Sequence, residues 1–176
     1  VVLAWGLGVV MFAIRLLGGA WRVRQLRRTS TAVPTEWQER LRALAEQIGL
    51  RCSVALRSSD RVRSPVVAGW WRPVVLVPAG LLSGFPPDQV EALLLHELAH
   101  VRRHDVLVGR LQAVVETLLF FHPAAWWISK QVRRTREACC DDLAVKAGTD
   151  RSVYVHALTT LAEQVLDRST AAWTPA

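Results

Sequence analysis

His96 and His100 stand four residues apart with Glu97 directly after the first, in the run His96-Glu97-Leu98-Ala99-His100. On a helix that spacing puts both imidazoles on one face about a turn apart, so a ring nitrogen of each can converge on one zinc ion. Glu97 is placed to take a proton from a water whose pKa the metal lowers toward neutrality, the chemistry of metal-assisted peptide hydrolysis. The same five residues could also arise without function on a solvent-facing helix. The flanking residues argue against that: Val90, Leu94, Leu98 and Val101 form an apolar stripe that Leu93 and Leu95 broaden. The motif therefore belongs to a core helix, where uncompensated His and Glu are costly.

A catalytic zinc takes three protein ligands and keeps a fourth position open, so a third donor must come from elsewhere. Glu137 is the candidate, because Glu137 and Asp141 in Glu137-Ala138-Cys139-Cys140-Asp141-Asp142 repeat the four-residue spacing on a second helix. Asp141 would then support the site by accepting a hydrogen bond from the far ring nitrogen of a ligating histidine. The competing reading is an acidic helix face paired with Arg133, Arg134 and Arg136. His104 lies one turn beyond His100, which would carry it away from the metal, and reads as a polar helix end. Cys139 and Cys140 lack the paired spacing of a structural zinc site and read as small buried residues. His122 and His156 are open, each either an oxyanion donor or a structural histidine.

Elements must hold these groups together. Pro86 and Pro87 with Asp88 and Glu91 mark the start of the motif helix. Upstream, Thr35 with Gln38 reads as a capping box opening a helix with the stripe Trp37, Leu41, Leu44 and Ile48, closed by Gly49. Cys52–Arg57, Pro65–Ala68 and Val74–Val77 have strand character, from which a small antiparallel sheet is expected.

The chain opens on the apolar run Val1–Ile14, continuing past Arg15 to Trp21, and Arg22, Arg24, Arg27 and Arg28 come next. A secretory signal would carry its basic stretch first, so the order fits the end of a transmembrane helix leaving the membrane on the cytoplasmic side. The expected organisation is residues 1–21 as part of a transmembrane helix, 22–34 as a basic juxtamembrane linker, and 35–176 as a catalytic domain continuing beyond this sequence. Residues 111–128 are apolar enough to raise the question of a second span. A single crossing there would leave the histidine motif and the acidic motif on opposite faces, so the segment is expected to be buried in the domain or to lie in the membrane surface.

The 176 residues are 51% apolar with a formal charge of +7. The arginine clusters adjoin apolar segments, with no nucleic-acid recognition module and no aromatic-basic interleaving, so anionic lipid rather than nucleic acid is the expected partner of the charge. Three cysteines, two of them adjacent, are no disulfide framework and agree with a reducing compartment.

Taken together, these residues resemble a known family, the membrane-bound zinc peptidases of the BlaR/MecR type. The resemblance runs through Pro65–Gly69, Arg72–Pro78, the segment HELAHVRRHD, Phe121–Trp127 and Arg136–Asp142, and reaches Tyr154 and Leu158. It implies a gluzincin-like site with His96, His100 and Glu137 as ligands of one zinc ion, Glu97 as the catalytic base and Asp141 in support. It also implies an edge strand, Pro65–Gly69 or Val74–Val77, that holds the substrate as an added strand. Nothing in the chain resembles a penicillin-binding sensor, so the inducing signal does not carry over.

The reading is therefore a mainly helical α+β zincin-like metallopeptidase domain on the cytoplasmic side of a bacterial inner membrane. Its expected activity is zinc metalloendopeptidase cleavage of a cytoplasmic regulator, such as a transcriptional repressor, or of the protein itself, in signal transduction. A signalling scaffold with a structural zinc site and a basic membrane-surface module without chemistry are the alternatives.

Overall fold

The computed structural model describes residues 2–171. Val1 and residues 172–176, the outermost parts of the expected membrane helix and catalytic domain, lie outside the described residues. Helix α1 (Val2–Thr29) leads into strand β1 (Thr31–Ala32), helix α2 (Thr35–Gln47) and strands β2 (Ala55–Ser59), β3 (Val66–Ala68) and β4 (Val74–Pro78). The short helix α3 (Leu81–Gly84) and helices α4 (Pro87–Arg102), α5 (Asp105–Leu118), α6 (Pro123–Lys146) and α7 (Arg151–Ala171) follow among the described residues.

The sheet order is β1-β2-β4-β3. β1 pairs antiparallel with β2 and β3 antiparallel with β4, but β2 and β4 run parallel with Ala55 opposite Val74 and Ser59 opposite Pro78. The sheet is thus mixed, not antiparallel throughout. The reason is the connection over residues 60–73, which is long enough to carry the chain past β4's position, lay β3 on the far edge and return, so that β4 enters between the two earlier strands. β4 consequently has pairing partners on both sides, and every one of its residues is buried. It also has covered faces: Val75 and Val77 join the core of α2 and α4, while Val74 and Leu76 face a smaller cluster with Val62, Ala68 and Leu26 of α1.

α4 is the central helix. Val90, Leu94 and Leu98 are completely buried in the core with Leu41 of α2, and burial of each leucine is worth about 1.5–3 kcal/mol. Pro87 sits in its first turn and Asp88 comes next, as the local sequence predicts. α2 closes at Ile48 with Gly49 left-handed at φ 71°.

Two local expectations change. The capping box at Thr35 does not form: no side chain caps α2, and Gln38 instead accepts from the Leu56 backbone N–H at 2.8 Å and donates to the Val54 carbonyl at 3.0 Å. An otherwise unpaired stretch of backbone beside β2 competes for that side chain and wins. α1 does not stop at Trp21 but stays helical through the arginine cluster to Thr29, and Trp5–Thr29 is long and apolar enough to cross a membrane. Residues 111–128 form the end of α5, a short turn and the start of α6, so the chain reverses within this segment.

Candidate metal centre

α4 brings His96 and His100 onto one face, and α6 crosses that face with Glu137. The two histidine Nε2 atoms lie 3.2 Å apart, and Glu137 Oε2 is 3.6 Å from each. A tetrahedral ion with bonds of about 2.0–2.1 Å sets its ligand atoms roughly 3.4 Å apart, so the triangle has the dimensions zinc requires.

The far side of each ring explains why the triangle is a donor set and not a hydrogen-bonded cluster. His96 Nδ1 lies 3.0 Å from Asp141 Oδ1 and 2.7 Å from Tyr154 Oη, whose hydroxyl donates to the same Asp141 oxygen at 2.5 Å. His100 Nδ1 lies 2.9 Å from Asp105 Oδ2. A carboxylate only accepts, so each Nδ1 carries the proton and each Nε2 is left with a lone pair. Two lone pairs and a carboxylate oxygen converging within this distance are mutually repulsive until a cation takes the space between them, so the residues present fit the metal on their own chemistry. Burial, and then the neighbouring His100, lower the pKa of His96 and favour the neutral, ligating form.

Glu97 lies beside the triangle and is buried. The backbone N–H of Val67 in β3 donates to its carboxylate, yet burial, followed by the charge of Glu137, pushes the pKa up to about 8. A cation in the triangle acts in the opposite direction and returns Glu97 toward its ionised form. The group is thus poised between protonation states, as a residue that exchanges protons must be.

Asp105 and Tyr154 had no role read from the sequence. α4 ends at Arg102, and His104 adopts a left-handed conformation at φ 57° that turns the chain into α5. His104 thereby becomes an exposed residue preceding α5 instead of a further turn of α4, and the next residue, Asp105, is thrown back under His100. Asp105 is almost fully buried and has Arg103 Nε at 3.6 Å and Arg136 Nε at 4.0 Å, while Arg136 also donates to its backbone carbonyl at 3.2 Å. The only local sign was an acid immediately after a histidine at a helix end. Tyr154 is buried on α7 and reaches the site from the next helix.

Cys140 is fully buried next to His100 and Asp105, with its thiol donating to Asp105 Oδ2 at 3.4 Å. Burial first, then Asp105, push its pKa up to about 12, which keeps it a thiol. Cys139 is partly exposed. His122 is exposed before α6, and His156 is exposed on α7 among Asp150, Ser152 and Thr159, so neither joins the cluster. Of the arginines expected to compete for Glu137, Arg133 pairs with Glu116 at 2.7 Å and Arg136 lies beside Asp105. Of the two strands considered for substrate, β4 is interior and β3 is the edge nearest α4.

The chain is similar to the regulatory protein BlaR1 of Bacillus licheniformis, 27% identical over 152 residues that are 86% of this chain and 25% of the relative. It is also similar to the methicillin resistance mecR1 protein of Staphylococcus aureus, 22% identical over 147 residues, 83% of this chain and 25% of the relative. A shorter stretch of 56 residues is 45% identical to the protease HtpX of Stutzerimonas stutzeri, covering 30% of this chain and 19% of that one. The chain thus spans about a quarter of the length of the regulatory relatives it matches. With a metallopeptidase-like donor set, a helix able to cross a membrane and a match of residues 1–174 to the family model described as BlaR1 peptidase M56, the chain belongs to that peptidase family.

Proposed function

We propose that this chain is the zinc metalloendopeptidase portion of a membrane-anchored signal transducer that cleaves a cytoplasmic regulator, a transcriptional repressor among the candidates, or the transducer itself. The observation that carries the reading is the triangle of His96, His100 and Glu137 donor atoms, with each histidine oriented from behind by a carboxylate.

His96, His100 and Glu137 are the residues that would hold zinc. Bound there, zinc supplies a Lewis acid for the peptide carbonyl and lowers the pKa of the attacking water. Asp141, with Tyr154, and Asp105 keep the imidazoles in one tautomer and one orientation. Glu97 takes the proton as water attacks the carbonyl carbon and returns it to the departing amine nitrogen, which closes the proton balance of hydrolysis. The Val67 N–H holds the Glu97 carboxylate in place, and because Val67 lies in the edge strand β3, a peptide added to that edge would lie beside the base.

Arg22, Arg24, Arg27 and Arg28 at the end of α1 support a cytoplasmic location for the domain that α1 anchors, on the inner membrane of a bacterium. The test is cleavage in membranes containing the full-length parent, tracking the candidate regulator and the protein itself by size. Glu97→Gln should abolish cleavage while zinc is retained. Equal cleavage in both proteins, or no cleavage in either with signalling intact, would favour a scaffold with a structural zinc.

A further inference from the structure

α5 and α6 pack beside α1 as a helical hairpin whose turn has unusual backbone partners. The indole N–H of Trp5 in α1 donates to the Leu118 carbonyl at 3.2 Å, and the indole N–H of Trp126 donates to the Phe120 carbonyl at 2.7 Å. The Leu119 carbonyl accepts from the His122 backbone N–H, and the His122 carbonyl from that of Ala125. Pro123 opens α6 with no N–H to satisfy. In water, carbonyls at a helix end are solvated at no special cost, and tryptophans are not needed to cap them. In hydrocarbon each unpaired group costs several kcal/mol, and protein donors must replace water.

The side chains agree. Phe120 stacks on Phe12 of α1 at 5.3 Å between ring centroids and lies so close to Gly8 that a Cβ there would come within 2.2 Å of its ring. The outward faces carry exposed Leu111, Val114, Leu118, Phe121, Trp127 and Ile128, more apolar surface than a water-facing hairpin retains. Glu116 of α5 pairs with Arg133 of α6, and Arg15, Arg110 and Glu116 line the cleft of about 620 Å³ between α1, β3 and α5. At the other end of α1, Arg27 donates to the Arg72 carbonyl at 3.1 Å, beside exposed Trp70 and Trp71. Basic and aromatic residues together mark a membrane–water interface. At 1.5 Å per residue the turn, which contacts α1 from Trp5 to Phe12, lies about 22–33 Å along α1 from Arg27, comparable to the depth of a hydrocarbon core of about 30 Å.

We infer that the α5–α6 hairpin is a re-entrant membrane element, entering the lipid hydrocarbon beside α1 and returning to the same side, with its turn capped by Trp5 and Trp126 and its outer face covered by acyl chains. The inference rests on the reading of α1 as a membrane helix. A hairpin entering and leaving on one face keeps Glu137 beside His96 and His100 although an apolar segment separates them in sequence. Asp105, at the opposite end of α5 from the turn, places the metal centre at headgroup level, where a membrane-proximal peptide bond can reach it.

The test is spin-label accessibility in the full-length parent reconstituted in phosphatidylcholine–phosphatidylglycerol vesicles. Single nitroxides are placed at Phe121→Cys, at Leu7→Cys on α1 and at Arg42→Cys on α2, with Cys52→Ser and Cys139→Ala and any other reactive cysteines removed. Collision with oxygen, which concentrates in lipid, is compared with collision with a water-soluble nickel chelate. Phe121→Cys and Leu7→Cys should both show an oxygen-to-nickel ratio several-fold above that of Arg42→Cys. A nickel-accessible Phe121→Cys with a lipid-exposed Leu7→Cys would overturn the hairpin while leaving the membrane helix standing. Low access to both reagents at Phe121→Cys would overturn it in favour of a protein cover. A water-accessible Leu7→Cys would remove the membrane reading of α1 and this inference with it.

Discussion

Asp105 Oδ2 lies 2.9 Å from His100 Nδ1, in a pocket closed by Arg103 and Arg136. In the proposed site the carboxylate orients a zinc ligand without itself joining the triangle of donor atoms. Asp105→Ala should therefore lower zinc affinity by about 10–100-fold, the usual consequence of removing such a partner. Asp105→Asn, whose amide oxygen can still accept, should lose less. Competition with a chelator of known affinity measures both, and an unchanged affinity in Asp105→Ala would remove the positioning role.

Replacing His96, His100 or Glu137 by Ala should each abolish stoichiometric zinc, because two remaining donors do not make a catalytic site. Metal analysis of the purified parent protein reads this directly. Chelator treatment of the unaltered protein should stop cleavage, and added zinc should restore it. Full zinc occupancy in Glu137→Ala would exclude Glu137 as a ligand.

Tyr154→Phe keeps the buried ring and removes the hydroxyl that joins Asp141 to His96. Asp141 remains 3.0 Å from His96 Nδ1, so the loss should be about 1 kcal/mol of stability, the net worth of one hydrogen bond. Denaturant titration, with zinc competition alongside, checks it. Asp141→Ala should cost more zinc affinity than Tyr154→Phe, and the reverse order would assign the support to the tyrosine.

In metal-free protein the pKa of Glu97 is raised from its ordinary 4.5 to about 8. A carboxyl whose pKa is higher in the folded state than in the unfolded one favours folding fully below the unfolded pKa, and this contribution is lost as pH rises through the folded value. Stability of the chelator-treated protein should therefore fall between pH 5 and about pH 8, by up to a few kcal/mol from this group. Glu97→Gln, which cannot ionise, should flatten that part of the profile. Parallel profiles for the two proteins would mean that Glu97 does not titrate in this window.

Gly8→Leu places a side chain where the Phe120 ring already lies. The hairpin must shift from α1, at a cost of about 1–3 kcal/mol as for other overpacked contacts. Thermal unfolding in vesicles should show the loss, and Gly18→Leu, at a glycine with open space around it, should not.

Much of the site was legible because its spacing is local. An α-helix turns every 3.6 residues whatever surrounds it, so His96 with His100, and Glu137 with Asp141, had to share faces once their segments were helical. The apolar run before the arginines likewise marks a membrane helix by composition alone, although its helical end at Thr29 was not visible in the clustering of charge. The sequence by itself thus determined which candidate donors share a helix face, and the mainly helical class. Tertiary structure decided what depends on where the chain reverses. The left-handed His104 puts Asp105 beneath His100, the crossover makes β3 and not β4 the edge, packing of α7 delivers Tyr154, and the Leu119–His122 turn folds an apolar stretch into a hairpin. Each of these depends on contacts between residues distant in sequence, and their free energies are set by competition for buried partners, as Gln38 shows by leaving its own helix end for the backbone beside β2.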